Sequence, residues 1–130
     1  MLKETITYTD YNGVERTEDF WFNLSKSEVI EMQASNGELA DYFRKIIDSN
    51  DSDAIISEFK KIILKAYGEK SKDGRRFIKK DENGRPLSDA FAETEAFETL
   101  YMKMIRDDGY AAKFANGIMP DFSSLYTDAN

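Results

Sequence analysis

Near the N-terminus the apolar residues fall at every second place: Leu2, Ile6 and Tyr8 in one run, then Val14, Phe20, Phe22 and Leu24 in another. A period of two is the pattern of a strand with one buried face. Between the runs, Asn12-Gly13 supplies residues that accept positive φ, so the two runs predict a β-hairpin. A two-stranded hairpin is marginal in water, and the Phe20/Phe22 face must pack on other elements or join another subunit's sheet. Trp21, of opposite parity, is expected to point away from that face.

From Ser25 onward the period lengthens to that of helices. Ser25 and Glu28 match a capping box, which predicts a helix to about Ala34 carrying Val29, Ile30 and Met32, interrupted at Asn36-Gly37. A second helix from Glu38 aligns Leu39, Phe43, Ile46 and Ile47 and is broken by the turn-forming residues 48–53. A third, from Asp53, places Ile55, Ile56, Phe59, Ile62, Ile63, Ala66 and Tyr67 on one stripe with Lys60, Lys61 and Lys65 outside, and Gly68 reads as its left-handed C-cap. Residues 69–86 read as a polar connector with a short extended piece at Phe77-Ile78. The longest helix is predicted over 88–106, capped by Ser88, with Phe91, Thr94, Phe97, Tyr101, Met104 and Ile105 on one side. A last helix over 108–116 carries Tyr110, Ala111, Phe114 and Ala115 and is stopped by Gly117 and Pro120. The fold class expected is α+β and mainly α, an N-terminal β-hairpin followed by a compact bundle of about five helices. It is expected as a single domain over 1–120, with a flexible C-terminal tail over 121–130.

A chain of 130 residues, 41% hydrophobic and 13% aromatic, can bury one modest core. Its net charge of −7 opposes broad association with nucleic acid or anionic membranes and points to protein partners. The opening MLKETITYTD lacks the apolar run of a signal peptide, and no segment nears the length of a membrane span, so a soluble, unexported chain is expected.

The chain has no His and no Cys, which removes the side chain that titrates near neutrality, the thiolate nucleophile and the common zinc ligands. Glu93, Glu95, Glu98, Asp107 and Asp108 sit where a solvated helix face or helix end places carboxylates, so no catalytic, cofactor or metal residues are assigned. Gly68-Glu69-Lys70-Ser71 has the wrong order for a phosphate-cradling loop and follows a helix rather than a strand. Asp10/Asn12/Gly13 and Asp81/Asn83/Gly84 resemble calcium loops but fail at ligand positions, and turn chemistry explains them better. Seven Lys/Arg against four Asp/Glu give residues 69–85 a local +3, leaving −10 elsewhere. That segment reads first as a solvated loop, then as a contact for an acidic neighbour through Arg75 and Arg76, and last as a nucleic-acid patch. On the helix around 97–105, Tyr101, Met102 and Met104 lie too widely spaced for all to be covered. With Trp21 they are the candidate protein-binding residues.

The stretches NGVERTEDFWFNLSKSE (12–28), LKAYGEKSKDGRRFIK (64–79), LSDAFAETEAFETLYMKM (87–104) and AAKFANGIMP (111–120) together resemble the tail assembly chaperones of long-tailed phages and prophages of Gram-positive bacteria. The most specific pieces are Tyr67 to Ser71 with Arg76-Phe77-Ile78, and Phe91 to Phe97 followed by Phe114 to Pro120. KKDENGRP (79–86) departs from the family pattern by its length. The resemblance implies a mainly helical, self-associating, non-enzymatic chaperone without cofactor. It would bind the tape measure protein, help recruit the tail tube protein, act in the host cytoplasm and be absent from the mature virion. The competing reading is an acidic interaction module, an inhibitor or adaptor, that binds a basic partner.

Overall fold

The computed structural model describes residues 1–36 and 52–120. The expected second helix from Glu38 and the expected tail over 121–130 lie outside the described residues. The hairpin is present: β1 (Leu2–Thr9) pairs antiparallel with β2 (Glu15–Phe22), in a register that sets Leu2 opposite Phe22 and Lys3 opposite Trp21. Its turn is closed by Asp10, whose Oδ1 accepts from the Asn12 and Val14 amides at 2.9 and 3.0 Å, while Gly13 takes φ 80°. Asp81 accepts from the Asn83 and Arg85 amides in the same way, so both calcium-like segments are indeed turns.

Among the described residues the helices are α1 (Lys26–Asn36), α2 (Ser52–Ala66), α3 (Leu87–Phe91), α4 (Glu95–Arg106) and α5 (Asp108–Ile118), and between α2 and α3 run β3 (Tyr67–Lys70) and β4 (Phe77–Ile78). The four strands form one antiparallel sheet in the order β1-β2-β3-β4, so the architecture is mixed α/β rather than mainly helical. The extended piece expected at Phe77-Ile78 is present as β4, but β3 stands where the sequence predicts the end of a helix and the start of the connector. It is only four residues long, with Glu69 and Lys70 exposed, and so carries no period that a single sequence displays.

Gly68 shows why. Instead of capping a helix in the left-handed region, it pairs with Trp21 in the sheet. A Cβ there would meet Phe77 Cε2 at 2.6 Å and the Ile78 carbonyl at 2.8 Å, so the position is glycine because β4 closes over it. Helix α2 therefore ends at Ala66 by tertiary capping. The Asn23 amide donates to the Ala66 carbonyl at 2.8 Å, and the Lys79 ammonium donates to the Lys65 carbonyl at 2.9 Å.

The capping box of α1 forms as the sequence predicts, with the Glu28 amide donating to Ser25 Oγ and the Ser25 amide donating to Glu28 Oε1. The predicted long helix is two. Thr94, expected on its apolar stripe, is instead the N-cap of α4: its Oγ1 accepts from the Phe97 amide at 3.1 Å and donates to the Phe91 carbonyl at 2.7 Å. Ser88 makes no cap, since α3 starts from Pro86 without a side-chain capping bond. Gly117 lies inside α5 rather than ending it, and the Leu2 side chain packs where its Cβ would be.

The core lies between the inner sheet face and α2 to α5. Phe91, delivered by the five-residue helix α3, is its aromatic centre. Its ring stacks on Tyr67 at 4.1 Å and lies within 6 Å of Phe20, Phe22 and Phe97. Phe22 also meets Phe114 edge-on at 5.1 Å. These rings are geometrically paired as well as buried, and such pairs add about 1 kcal/mol each to the burial itself.

Candidate functional site

With Phe22 fully buried, strand parity sends Trp21 to the opposite, outer face of the sheet. There it is half-buried, with the Lys3 and Lys70 ammoniums 5.8 and 5.2 Å from its ring. Lys70 and Phe77 pair across β3 and β4 beside it. The shallow hollow beside Trp21 is lined by Glu18, Asp19 and Glu69 as well as Lys70, so the charges around the ring are mixed.

Helix α4 packs on the other side of the sheet, through Ala96, Phe97, Leu100 and Met104. Met104 is thus a core residue, 1% exposed, and cannot touch a partner. Met102 is 40% exposed. It lies in an open groove of about 530 Å³ with Glu95, Glu98, Thr99, Lys103 and Arg106 along the helix. Tyr101 is half-buried and stacks on Phe97 at 5.6 Å. The hairpin tip reaches the start of this helix, where the Tyr11 hydroxyl bonds to Glu95, which raises its pKa.

Arg75 and Arg76 lie in the loop between β3 and β4, with exposed side chains on a fixed backbone. The Arg75 amide donates to Asp73 Oδ1 and the Arg76 amide to Ser71 Oγ, both at 3.0 Å. The Asp73 carboxyl is held below its ordinary range by the Ser71 hydroxyl, then by the Arg75 amide. Among the described residues, no group of acidic side chains is placed to hold a metal ion. No helix among them is long and apolar enough to cross a membrane.

The sequence-predicted residues therefore fall on two sides of one sheet, Trp21 outside and Tyr101 and Met102 on the helical side, with the two arginines at a loop. The family model for phage tail assembly chaperones matches residues 1–124. The chain belongs to that family. No curated protein and no solved structure matches it. A role in phage tail assembly, in the host cell and alongside tail proteins, follows for this chaperone.

One residue that sequence reasoning left in the solvated loop organises the chaperone's interior. Lys79 donates to both Glu28 carboxylate oxygens, at 2.8 and 2.6 Å, to the Asn23 carbonyl at 2.8 Å and to the Lys65 carbonyl at 2.9 Å. It fastens β4, the end of β2, the start of α1 and the end of α2 at one point. Burial pushes the Glu28 carboxyl up, but hydrogen bonds from Lys79 and the Ser25 amide outweigh it and leave its pKa below the ordinary value. Burial also lowers the Lys79 pKa, against the pull of Glu28. The signal in the sequence is faint: Phe77 and Lys79 share a parity opposite to Ile78 and Lys80, but the partners lie 51 and 56 residues away.

Proposed function

We propose that this phage tail assembly chaperone coats the tape measure protein, keeping its long apolar helical stretches soluble until tail tube subunits are recruited. It acts by binding alone, as a self-associated assembly in the bacterial cytoplasm, and leaves before the virion is complete. The family match over 1–124 carries the reading. Trp21 and the α4 residues Tyr101 and Met102 lie on opposite sides of the sheet, which would let a subunit hold a client on one and meet a neighbour on the other. The client side is α4, where exposed Met102 lies in an open groove with Glu98, Thr99 and Arg106 and half-buried Tyr101 stands on an adjacent side of the helix, together suited to meet a client helix. Trp21, Arg75 and Arg76 supply the neighbour side. The net charge of −7 keeps the coated assembly soluble.

The test is co-expression of a tape measure fragment with the chaperone. Met102→Glu and Tyr101→Ser are expected to shift the client to the insoluble fraction, and Trp21→Ser to reduce subunit association in light scattering. Folded variants that keep the client as soluble as the wild type does would overturn the assignment of α4.

A further inference from the structure

Where α2 meets the last hairpin, an open groove of about 500 Å³ is lined by Lys61, Leu64, Lys65, Tyr67, Lys80 and Pro86. The Glu28–Lys79 ion pair also lines it and contributes no net charge. Lys61, Lys65 and Lys80 are exposed around a half-buried apolar strip of Leu64 and Tyr67. Lysines flanking apolar carbon, with Lys65 and Lys80 adding to the Glu28–Lys79 pair, set this groove apart in a chain of net −7. Burial, then Glu69 and Glu18, push the Tyr67 hydroxyl up to about 12, so it remains a hydrogen-bond donor near neutral pH.

We infer that this groove docks an acidic peptide segment of a partner protein, its carboxylates meeting Lys61, Lys65 and Lys80 and an aliphatic side chain between them lying on Leu64 and Tyr67. Charge complementarity selects the occupant. A nucleic acid would need a longer cationic track and an aromatic face for its bases, whereas the Tyr67 ring is already stacked on Phe91 with 4° between planes. The acidic remainder of the chain also repels a long polyanion far more than it repels a few clustered carboxylates. This inference goes beyond the coating role, because Trp21, Tyr101 and Met102 do not line the groove.

The probe is a labelled synthetic peptide with glutamates on both sides of a leucine, titrated by fluorescence anisotropy against the full chain. A control peptide carries glutamines instead. The acidic peptide is expected to bind at least about tenfold more tightly than the control and to weaken between low and physiological salt. The triple variant K61Q/K65Q/K80Q, with Lys79 intact and folding checked by circular dichroism, is expected to lose about tenfold in affinity, the scale of three exposed charge contacts. Lys65→Gln and Lys80→Gln alone serve if the triple variant fails to fold, each expected to lose about twofold. Trp21→Ser and Met102→Glu should bind the peptide as the wild type does, which separates this proposal from the coating role. Equal binding of both peptides, unchanged affinity in the lysine variants, or tighter binding of a labelled single-stranded oligonucleotide would each overturn the inference.

Discussion

Replacing Lys79 with Met keeps most of the aliphatic stem and removes the ammonium. Four acceptor atoms then lose their donor: both oxygens of Glu28 and the carbonyls of Asn23 and Lys65. The Glu28 carboxylate keeps the Ser25 amide. With both side chains only about a fifth exposed (23% and 22%), the pair sits between two limits. A fully buried pair costs about 3–5 kcal/mol when one partner is removed, and an exposed pair about 0–1 kcal/mol. We expect a loss of about 2–3 kcal/mol for Lys79→Met, a fall in melting temperature of roughly 6–12 °C at this chain length. Urea unfolding followed by circular dichroism measures it, with Lys80→Met, one residue on and exposed, as a control expected within about 0.5 kcal/mol of wild type. A double-mutant cycle with Glu28→Gln isolates the pair and should return a coupling of about 1–2 kcal/mol. If Lys79→Met melts with Lys80→Met, within about 2 °C of the wild type, Lys79 is not the fastening point described above.

Gly68→Ala is expected to cost about 2 kcal/mol in urea unfolding, because the Ile78 carbonyl at 2.8 Å belongs to the sheet backbone and cannot swing aside as a side chain could. Thr94→Ala should cost about 1 kcal/mol through the lost N-cap, and Ser88→Ala, at a helix start without a capping side chain, should cost less than about 0.5 kcal/mol. Because the Glu28 pKa is lower in the folded chain than in the unfolded one, its contribution is complete above about pH 5 and is lost as pH falls through the folded value. Melting temperatures below about pH 4.5 should therefore drop more steeply for the wild type than for Glu28→Gln, and parallel curves would refute that linkage.

The hairpin, the capping box of α1 and most of α2 were legible because each is written in nearby residues: parity, Asn12-Gly13, Ser25/Glu28, and apolar residues three and four apart. What could not be read depended on distant partners. Gly68 carries the same letter whether it caps a helix or lies under Phe77. Thr94 fits the apolar stripe of a longer helix, yet its hydroxyl serves better at a break that frees Phe91 to enter the aromatic cluster. Gly117 reads as a stop until Leu2, from the other end of the chain, is seen to fill its place. Of the candidate contact residues, Trp21 and Met102 face outward as parity and helical spacing suggest. Met104 does not, because α4 turns that side toward the sheet. The basic segment misled most: its Lys/Arg count describes a solvated loop well, but one of its lysines is spent inward.

Strand β3 meets β2 only at Trp21 and Phe22, so among the described strands none covers Glu15–Phe20 along that margin. Such a bare backbone margin would invite a foreign strand to zip onto it. Here Glu15, Arg16, Glu18 and Asp19 stud it with charge, which discourages that kind of growth. If the chaperone gathers in copies on a client, as proposed above, those charges oppose the addition of a neighbour's strand along this margin.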